Sequence, residues 1–408
     1  MISLFTGAGG LDYGFEAAGF RTAIAVEMDA DCCRTLKANR KDWPLMENDL
    51  TKVSTDKILE KAGLEKGQAA LVIGGPPCQP FSKAGYWKRQ DTLRLADPRA
   101  NTLEHFLRVV EEAQPQAVLL ENVVGLGYRG KDEGLQMLLK EFERINHRTG
   151  SNYIPKYKIL NAADFGVPQI RERLFVIAAR DGRAFTFPSP THASSPPPDS
   201  ALEKYRTAWD AIGDLKNDTS PELKVKGKWA DLLPSVPEGS NYLHHTPEGE
   251  GEPLFGWRCR YWSFLLKLSK QLPSWTIPAQ PGPASGPFHW KNRRLSMREL
   301  CRLQTFPNEV NILGSINTIQ RQVGNAVPSL LAEVLARAIR TQLLDLPDIE
   351  HPPRLRLSQR FDVPRKERAR KVPAAYYKYK GKHEAHPGEG KGPGARALSG
   401  TNSDHPTI

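Results

Sequence analysis

The sequence predicts an α/β protein: an open sheet flanked by helices, with a second, smaller and irregular region. Three observations carry this. Short apolar runs at residues 2–5, 22–26, 71–74 and 117–120 have the length and composition of buried strands. Helices are read between them, at 11–18 and 101–112, giving the alternation of an α/β fold. Each run ends in glycine, proline or a carboxylate, the residue types that serve a crevice beyond the carboxyl ends of the strands.

The chain has 408 residues, enough for a sizeable core and two domains, or one domain with a large insertion. Lys and Arg number 57 against 46 Asp and Glu, so the formal charge of +11 makes an anionic partner plausible without proving one. Five cysteines, Cys32, Cys33, Cys78, Cys259 and Cys301, form no CxxC pair or His/Cys cluster. That argues against a disulfide framework and a structural zinc, and fits a reducing compartment. No leader pattern and no apolar segment of membrane-spanning length is present, so a soluble, cytoplasmic protein is expected.

In chain order, the strand at 2–5 meets a glycine-rich turn, Thr6 to Gly10, and then a helix at 11–18. Such a turn lets backbone approach a ligand and aims helix amides at negative charge; a tight turn that merely needs glycine is the alternative. Its spacing is not the dinucleotide fingerprint, which favours another adenosine-containing ligand. The strand at 22–26 ends in Glu27, Met28 and Asp29. Glu27 is placed to accept ribose hydroxyls, and Asp29 to cap the following helix. Asn48 and Asp49 end the next apolar piece in the same way, either at an adenine edge or in an ordinary surface turn.

Residues 71–82 read LVIGGPPCQPFS. Pro76, Pro77 and Pro80 rule out helix and regular strand pairing around Cys78, so this thiol is not routine core filling. Residues 83–98 are polar and basic, with Lys83, Lys88, Arg89 and Arg94, as in a lid that meets phosphates or in a solvated loop. An amphipathic helix is expected at 101–112. The strand at 117–120 then delivers Glu121, Asn122 and Val123 to the crevice that Cys78 faces. A further helix at 134–145 and strands at 157–161 and 173–178 follow, with Arg171 and Arg173 at alternate positions between them.

Composition changes after Ala179, and residues 186–199 are crowded with Pro and Ser. Residues 205–290 are rich in Gly and Pro and hold Trp209, Trp229, Trp257, Trp262, Trp275 and Trp290. Arg258, Arg260, Lys267, Lys270, Lys291, Arg293 and Arg294 are candidates to face a polyanion, with the tryptophans as the core of a loop-rich domain. Ser296 and Glu299 have capping-box spacing for a helix at 296–304, and residues 329–344 form a strong amphipathic helix. The expected division is a catalytic and cofactor-binding domain at 1–185, a smaller domain at 186–293, a return segment at 294–346, and a basic tail at 347–408 that is weakly ordered after about 372.

Taken together, residues 2–344 resemble the bacterial-type cytosine-C5 DNA methyltransferases. The likeness rests on the FTGAGG turn, Pro77-Cys78-Gln79, Glu121-Asn122-Val123, Asp97-Pro98-Arg99, the Arg171/Arg173 pair, the run from Arg294 to Gln304, and Gln322-Val323-Gly324-Asn325. It implies a Rossmann-like S-adenosylmethionine-dependent methyltransferase fold with an irregular target-recognition domain. Cys78, Glu121, Arg171 and Arg173 would be catalytic. Phe5, Gly7, Gly9, Gly10, Leu11, Glu27, Met28, Asp49, Pro77, Asn325 and Ala326 would line the site for S-adenosyl-L-methionine, with S-adenosyl-L-homocysteine as product. Gln79, Ser82, Lys83, Lys88, Arg89, Arg258, Arg260 and Arg293 are DNA-contact candidates.

The implied partner is double-stranded DNA, with a flipped target cytosine and a restriction endonuclease as functional counterpart; one complete site per chain suits a monomer. No metal is implied. An RNA cytosine methyltransferase on the same plan is the nearest alternative, and the long region before Arg294 favours DNA. The arginines can provide a field for the thiolate, hold the cytosine carbonyl or brace Glu121, and the sequence leaves these open.

Overall fold

The structure, a computed structural model, describes residues 1–77, 101–126, 133–257 and 259–381. Its centre is a seven-stranded sheet of order β3-β2-β1-β4-β5-β7-β6. The strands are β1 (Ile2–Leu4), β2 (Ile24–Glu27), β3 (Leu45–Glu47), β4 (Leu71–Gly74), β5 (Ala117–Asn122), β6 (Lys156–Asn161) and β7 (Glu172–Ala179). The first five run parallel and β7 runs antiparallel to both neighbours. Helices α1 (Gly10–Ala17), α2 (Ala30–Asn39), α3 (Thr55–Ala62), α4 (Asn101–Ala113) and α5 (Glu133–Thr149) belong to the first half of the chain. Helices α6 (Ala208–Ile212), α7 (Met297–Leu303), α8 (Ile316–Asn325) and α9 (Ser329–Leu343) follow.

Strand alternation divides the core. Val72, Val118, Leu120, Leu174 and Val176 face α3, α4 and α5, whereas Leu71, Ile73, Leu119, Phe175 and Ile177 face α1 and α9. A side chain fully buried this way contributes about 1.5–3 kcal/mol, and a one-residue slip would exchange the two faces, so the register is strongly specified. Helices α1 and α9 cross closely at Gly14, where an added Cβ would lie 2.3 Å from the Ser329 carbonyl oxygen. Their contact returns the C-terminal part of the chain to the first domain, as expected for the helix at 329–344.

Helix α2 is the one that Asp29 was read as capping, whereas α3 and α8 were not anticipated, although the signals are present. Asp29, Ser54 and Ser315 each accept hydrogen bonds from backbone amides as N-caps. The expected capping box at Ser296 and Glu299 is formed. Trp209 and Trp290 do not join a separate small-domain core; they pack with Tyr13, Trp43 and α7 beside the sheet. A second cluster does belong to the irregular region, where Trp229 meets Phe255 and Phe264 edge-on.

The C-terminal segment also departs from expectation. Residues 347–381 run as a strap from α9 to the irregular region, and Tyr376, beyond the point expected to lose order, is buried on Trp229. Aromatic burial compensates for weak periodicity there. No helix among the described residues is long and apolar enough to cross a membrane.

Candidate active site

The site is assembled where β1, β2, β4 and β5 end. Gly7 and Gly9 adopt positive φ, 58° and 84°, which permits the tight path from β1 into α1. Phe5 shares this region at φ 54°. A Cβ at Gly7 would meet nothing within 4 Å, so the turn borders open space. On its other side Gly10 touches the segment after α8: an added Cβ would lie 2.5 Å from the Val327 carbonyl oxygen and 2.9 Å from the Ala326 Cβ. Ala326 therefore adjoins the glycine turn, while Asn325 is exposed.

Glu27 is buried, and its carboxylate accepts from the amides of Gly7 at 2.7 Å, Met28 at 2.9 Å and Asp29 at 2.7 Å. Burial raises its pKa, opposed by these three donors. A carboxylate offers about four acceptor positions, so capacity for one further hydroxyl remains. Asp29 caps α2 and pairs with Arg321 of α8, which also bonds Asp31 at 2.8 Å. The reading of Asp29 as a cap is thus the observed one. Asp49 accepts from the Thr51 amide in a short turn, Leu11 is buried, and Met28 is 67% exposed. A glycine cradle beside open space, an acceptor at the second strand end and an exposed thioether at the rim fit an adenosine-bearing methyl donor.

At the other end of the crevice, β7 begins where β5 finishes because the two are antiparallel. This puts Arg173 beside Glu121, with Arg173 Nε donating to Glu121 Oε1 at 2.9 Å. Glu121 is buried, and that desolvation raises its pKa although Arg173 and Arg171 both pull it down. Gly75 leaves room for it: a Cβ there would be 2.8 Å from Glu121 Oε2. Asn122 Nδ2 donates to the Pro76 carbonyl at 3.3 Å and its Oδ1 accepts from the Val123 amide, so β5 also holds the backbone that leads to Pro77. Thr102 Oγ1 donates to the Pro77 carbonyl at 3.1 Å.

Arg171 and Arg173 do different work. Arg171 is buried, donating to the carbonyls of Ile277 at 3.3 Å and Gly324 at 2.7 Å, and burial lowers its pKa well below the ordinary guanidinium value. It braces the irregular region and α8 against the sheet, and Arg173 alone of the two pairs with Glu121. Gln169 adds to this junction by donating to Gln304 Oε1 at 3.0 Å and accepting from the Ile277 amide. The supporting roles of Gly75, Gln169 and Arg321 were missed, since each depends on a partner distant in sequence.

Cys78, Gln79, Ser82, Lys83, Lys88, Arg89 and Arg258, with the loop at 83–98 and Arg99, lie outside the described residues. Among the other polyanion candidates, Arg293 is corrected: it is buried in a two-pronged pair with Glu299, both contacts at 2.7 Å. Lys270 is likewise buried on Glu238 at 2.8 Å, and Lys267 is buried with its pKa lowered to about 8 by desolvation. The paired Arg293 and Lys270 support the region internally, because an unpaired buried cation is too costly. Arg260 is half-buried over the rings of Trp229 and Phe264.

The sequence matches the C-5 cytosine-specific DNA methylase family over residues 1–341. The chain belongs to that family. Type II methyltransferase M.SacI of Streptomyces achromogenes is 38% identical over 369 residues, covering 84% of this chain and 93% of the relative. M1.HphI of Haemophilus parahaemolyticus is 35% identical over 348 residues, covering 83% and 86%. Among solved structures, Spodoptera frugiperda DNMT2 superposes with a TM-score of 0.57 at 17% identity, covering 83% of this chain and 98% of the other. The Entamoeba histolytica methyltransferase EhMeth gives 0.54 at 18%, covering 84% and 98%, and these two likenesses concern the fold. This DNA cytosine-5 methyltransferase uses S-adenosyl-L-methionine as methyl donor and has the Rossmann-like methyltransferase fold with a smaller irregular region.

Proposed function

We propose that Cys78 is the nucleophile, Glu121 the group that engages the cytosine ring, and Arg173 the residue that positions Glu121, acting on a cytosine flipped from a specific duplex sequence. The observation that carries this reading is the Glu121–Arg173 pair beside Gly75, three residues before Cys78 in the chain. Cytosine C5 is too weak a nucleophile to take a methyl group unaided. Addition of the Cys78 thiolate to C6 breaks the C5=C6 π bond and moves electron density to C5. Bound S-adenosyl-L-methionine supplies an electrophilic methyl group to C5 and is left as S-adenosyl-L-homocysteine. Loss of the C5 proton and departure of the thiolate from C6 then restore the ring.

Glu121, protonated or sharing a proton with ring N3, offsets the charge that builds there. Its raised pKa keeps a proton available at higher pH than for an ordinary carboxyl, while Arg173 fixes its direction. Gly7, Glu27, Met28, Asp49, Pro77 and Ala326 would hold the methyl donor. The target nucleotide must leave the stack, at a cost of a few kcal/mol met by pocket and backbone contacts.

Two relatives named as Type II methyltransferases support a role opposite a restriction endonuclease. Duplex DNA bearing 5-fluorocytosine at the target, incubated with the methyl donor, is expected to become covalently attached at Cys78, and Cys78→Ala to abolish the adduct. A wild-type protein that methylates C5, read by bisulfite sequencing, yet forms no such adduct would overturn the assignment.

A further inference from the structure

The family match ends at residue 341, and the strap beyond it has no part in the proposed chemistry. Residues 347–381 carry ten Lys and Arg against four Asp and Glu, a surplus of six in a chain whose formal total is +11. More than half of the net positive charge therefore lies in under a tenth of the sequence. At residues 365–371 the strap separates its charges by sign.

Glu367 faces the irregular region, where its carboxylate accepts from Lys270 at 3.3 Å and pairs with Lys291 at 2.9 Å. Its backbone amide donates to Glu238 Oε1 at 2.6 Å. The Arg370 amide donates to the Pro234 carbonyl at 2.9 Å, and the Tyr376 hydroxyl donates to the Lys228 carbonyl at 2.8 Å while its ring stacks on Trp229. These contacts fix the backbone. Arg365, Lys366, Arg368, Arg370 and Lys371 are all exposed, and their side chains form no hydrogen bond or ion pair among the described residues.

We propose that this strap is a DNA-contacting surface that holds backbone phosphates of the duplex outside the recognised sequence. The inference rests on the reading of the enzyme as acting on duplex DNA, and extends it to a surface beyond the matched family region. Cations on a backbone already held in place lose less freedom on binding than those of a loose arm. Seven residues of extended chain reach about 20 Å, and duplex DNA presents a charge about every 1.7 Å of its axis, so several phosphates fall within range.

The test is the full-length protein with Arg365, Lys366, Arg368, Arg370 and Lys371 replaced by Gln, on duplexes that end at the recognised site or extend about two helical turns beyond it. Binding is measured across salt concentrations by anisotropy, separately from methyl transfer. The variant is expected to bind the long duplex about tenfold or more weakly, with the slope of log affinity against log salt falling by about 0.9 for each phosphate the strap no longer neutralises. KM for the methyl donor and kcat at saturating DNA should hold, and replacing the three arginines by Lys should preserve the slope.

An unchanged slope on the long duplex, or an equal weakening on both duplexes, would overturn the inference. Because binding is read apart from chemistry, absence of C5 methylation in wild type would count against the proposed activity instead.

Discussion

Replacing Gly75 by alanine tests whether the position of Glu121 governs catalysis. The new Cβ would lie 2.8 Å from Glu121 Oε2, where ordinary contact begins near 3.4 Å, so the carboxylate must withdraw by about 0.6 Å. Gly75 does not have positive φ, and alanine adds no backbone strain there. The cost falls on the 2.9 Å contact with Arg173, a hydrogen bond from a charged guanidinium of the kind worth about 1.5–3 kcal/mol. A misplacement near 1 Å at a reacting centre costs up to about 100-fold in rate. Gly75→Ala is therefore expected to lower kcat by about 10- to 100-fold, with KM for the methyl donor within about twofold of wild type. Single-turnover transfer of a labelled methyl group to duplex DNA reads the chemical step. A folded variant with the wild-type rate would refute the reasoning, because Glu121 would then have been free to move without consequence.

Other expectations concern the supports of the site. Gly14→Ala places a Cβ 2.3 Å from the Ser329 carbonyl oxygen and 2.4 Å from the Ala332 Cβ, so α1 and α9 must separate; a loss of about 3 kcal/mol or more is expected by denaturant titration. Arg171→Met leaves the Ile277 and Gly324 carbonyls without their guanidinium donors, at about 1–3 kcal/mol each, and thermal melting should fall accordingly while Arg173→Met mainly reduces kcat. Asp12 is fully buried with no well-formed hydrogen bond to either carboxylate oxygen among the described residues, and desolvation, opposed by the nearby Ser3 hydroxyl, raises its pKa to about 7. The folded state thus holds a proton that the unfolded chain releases near pH 4, and its stability falls as pH rises from about 4 to 7. Asp12→Asn should melt progressively higher than wild type across that window, with a constant difference above it. A pH-independent difference would assign the effect to packing.

Much of the protein was legible along the chain because its cues are local. Strands with apolar runs, the capping box at Ser296 and Glu299, and the strand ends carrying Glu27 and Glu121 depend on neighbouring residues. The order of the glycine turn, Cys78 and Glu121 was sufficient to indicate the family. What the tertiary structure decided concerns pairs separated by tens or hundreds of residues. Arg173 meets Glu121 only because β7 runs antiparallel to β5, and Arg171 is a brace only because Ile277 and Gly324 offer it carbonyls. Charge alone could not separate Arg293, neutralised by Glu299 in the interior, from the exposed cations of the strap. A side chain carries its type in the sequence, whereas its solvation and its partner are properties of the packed chain, and these fix what the charge can do.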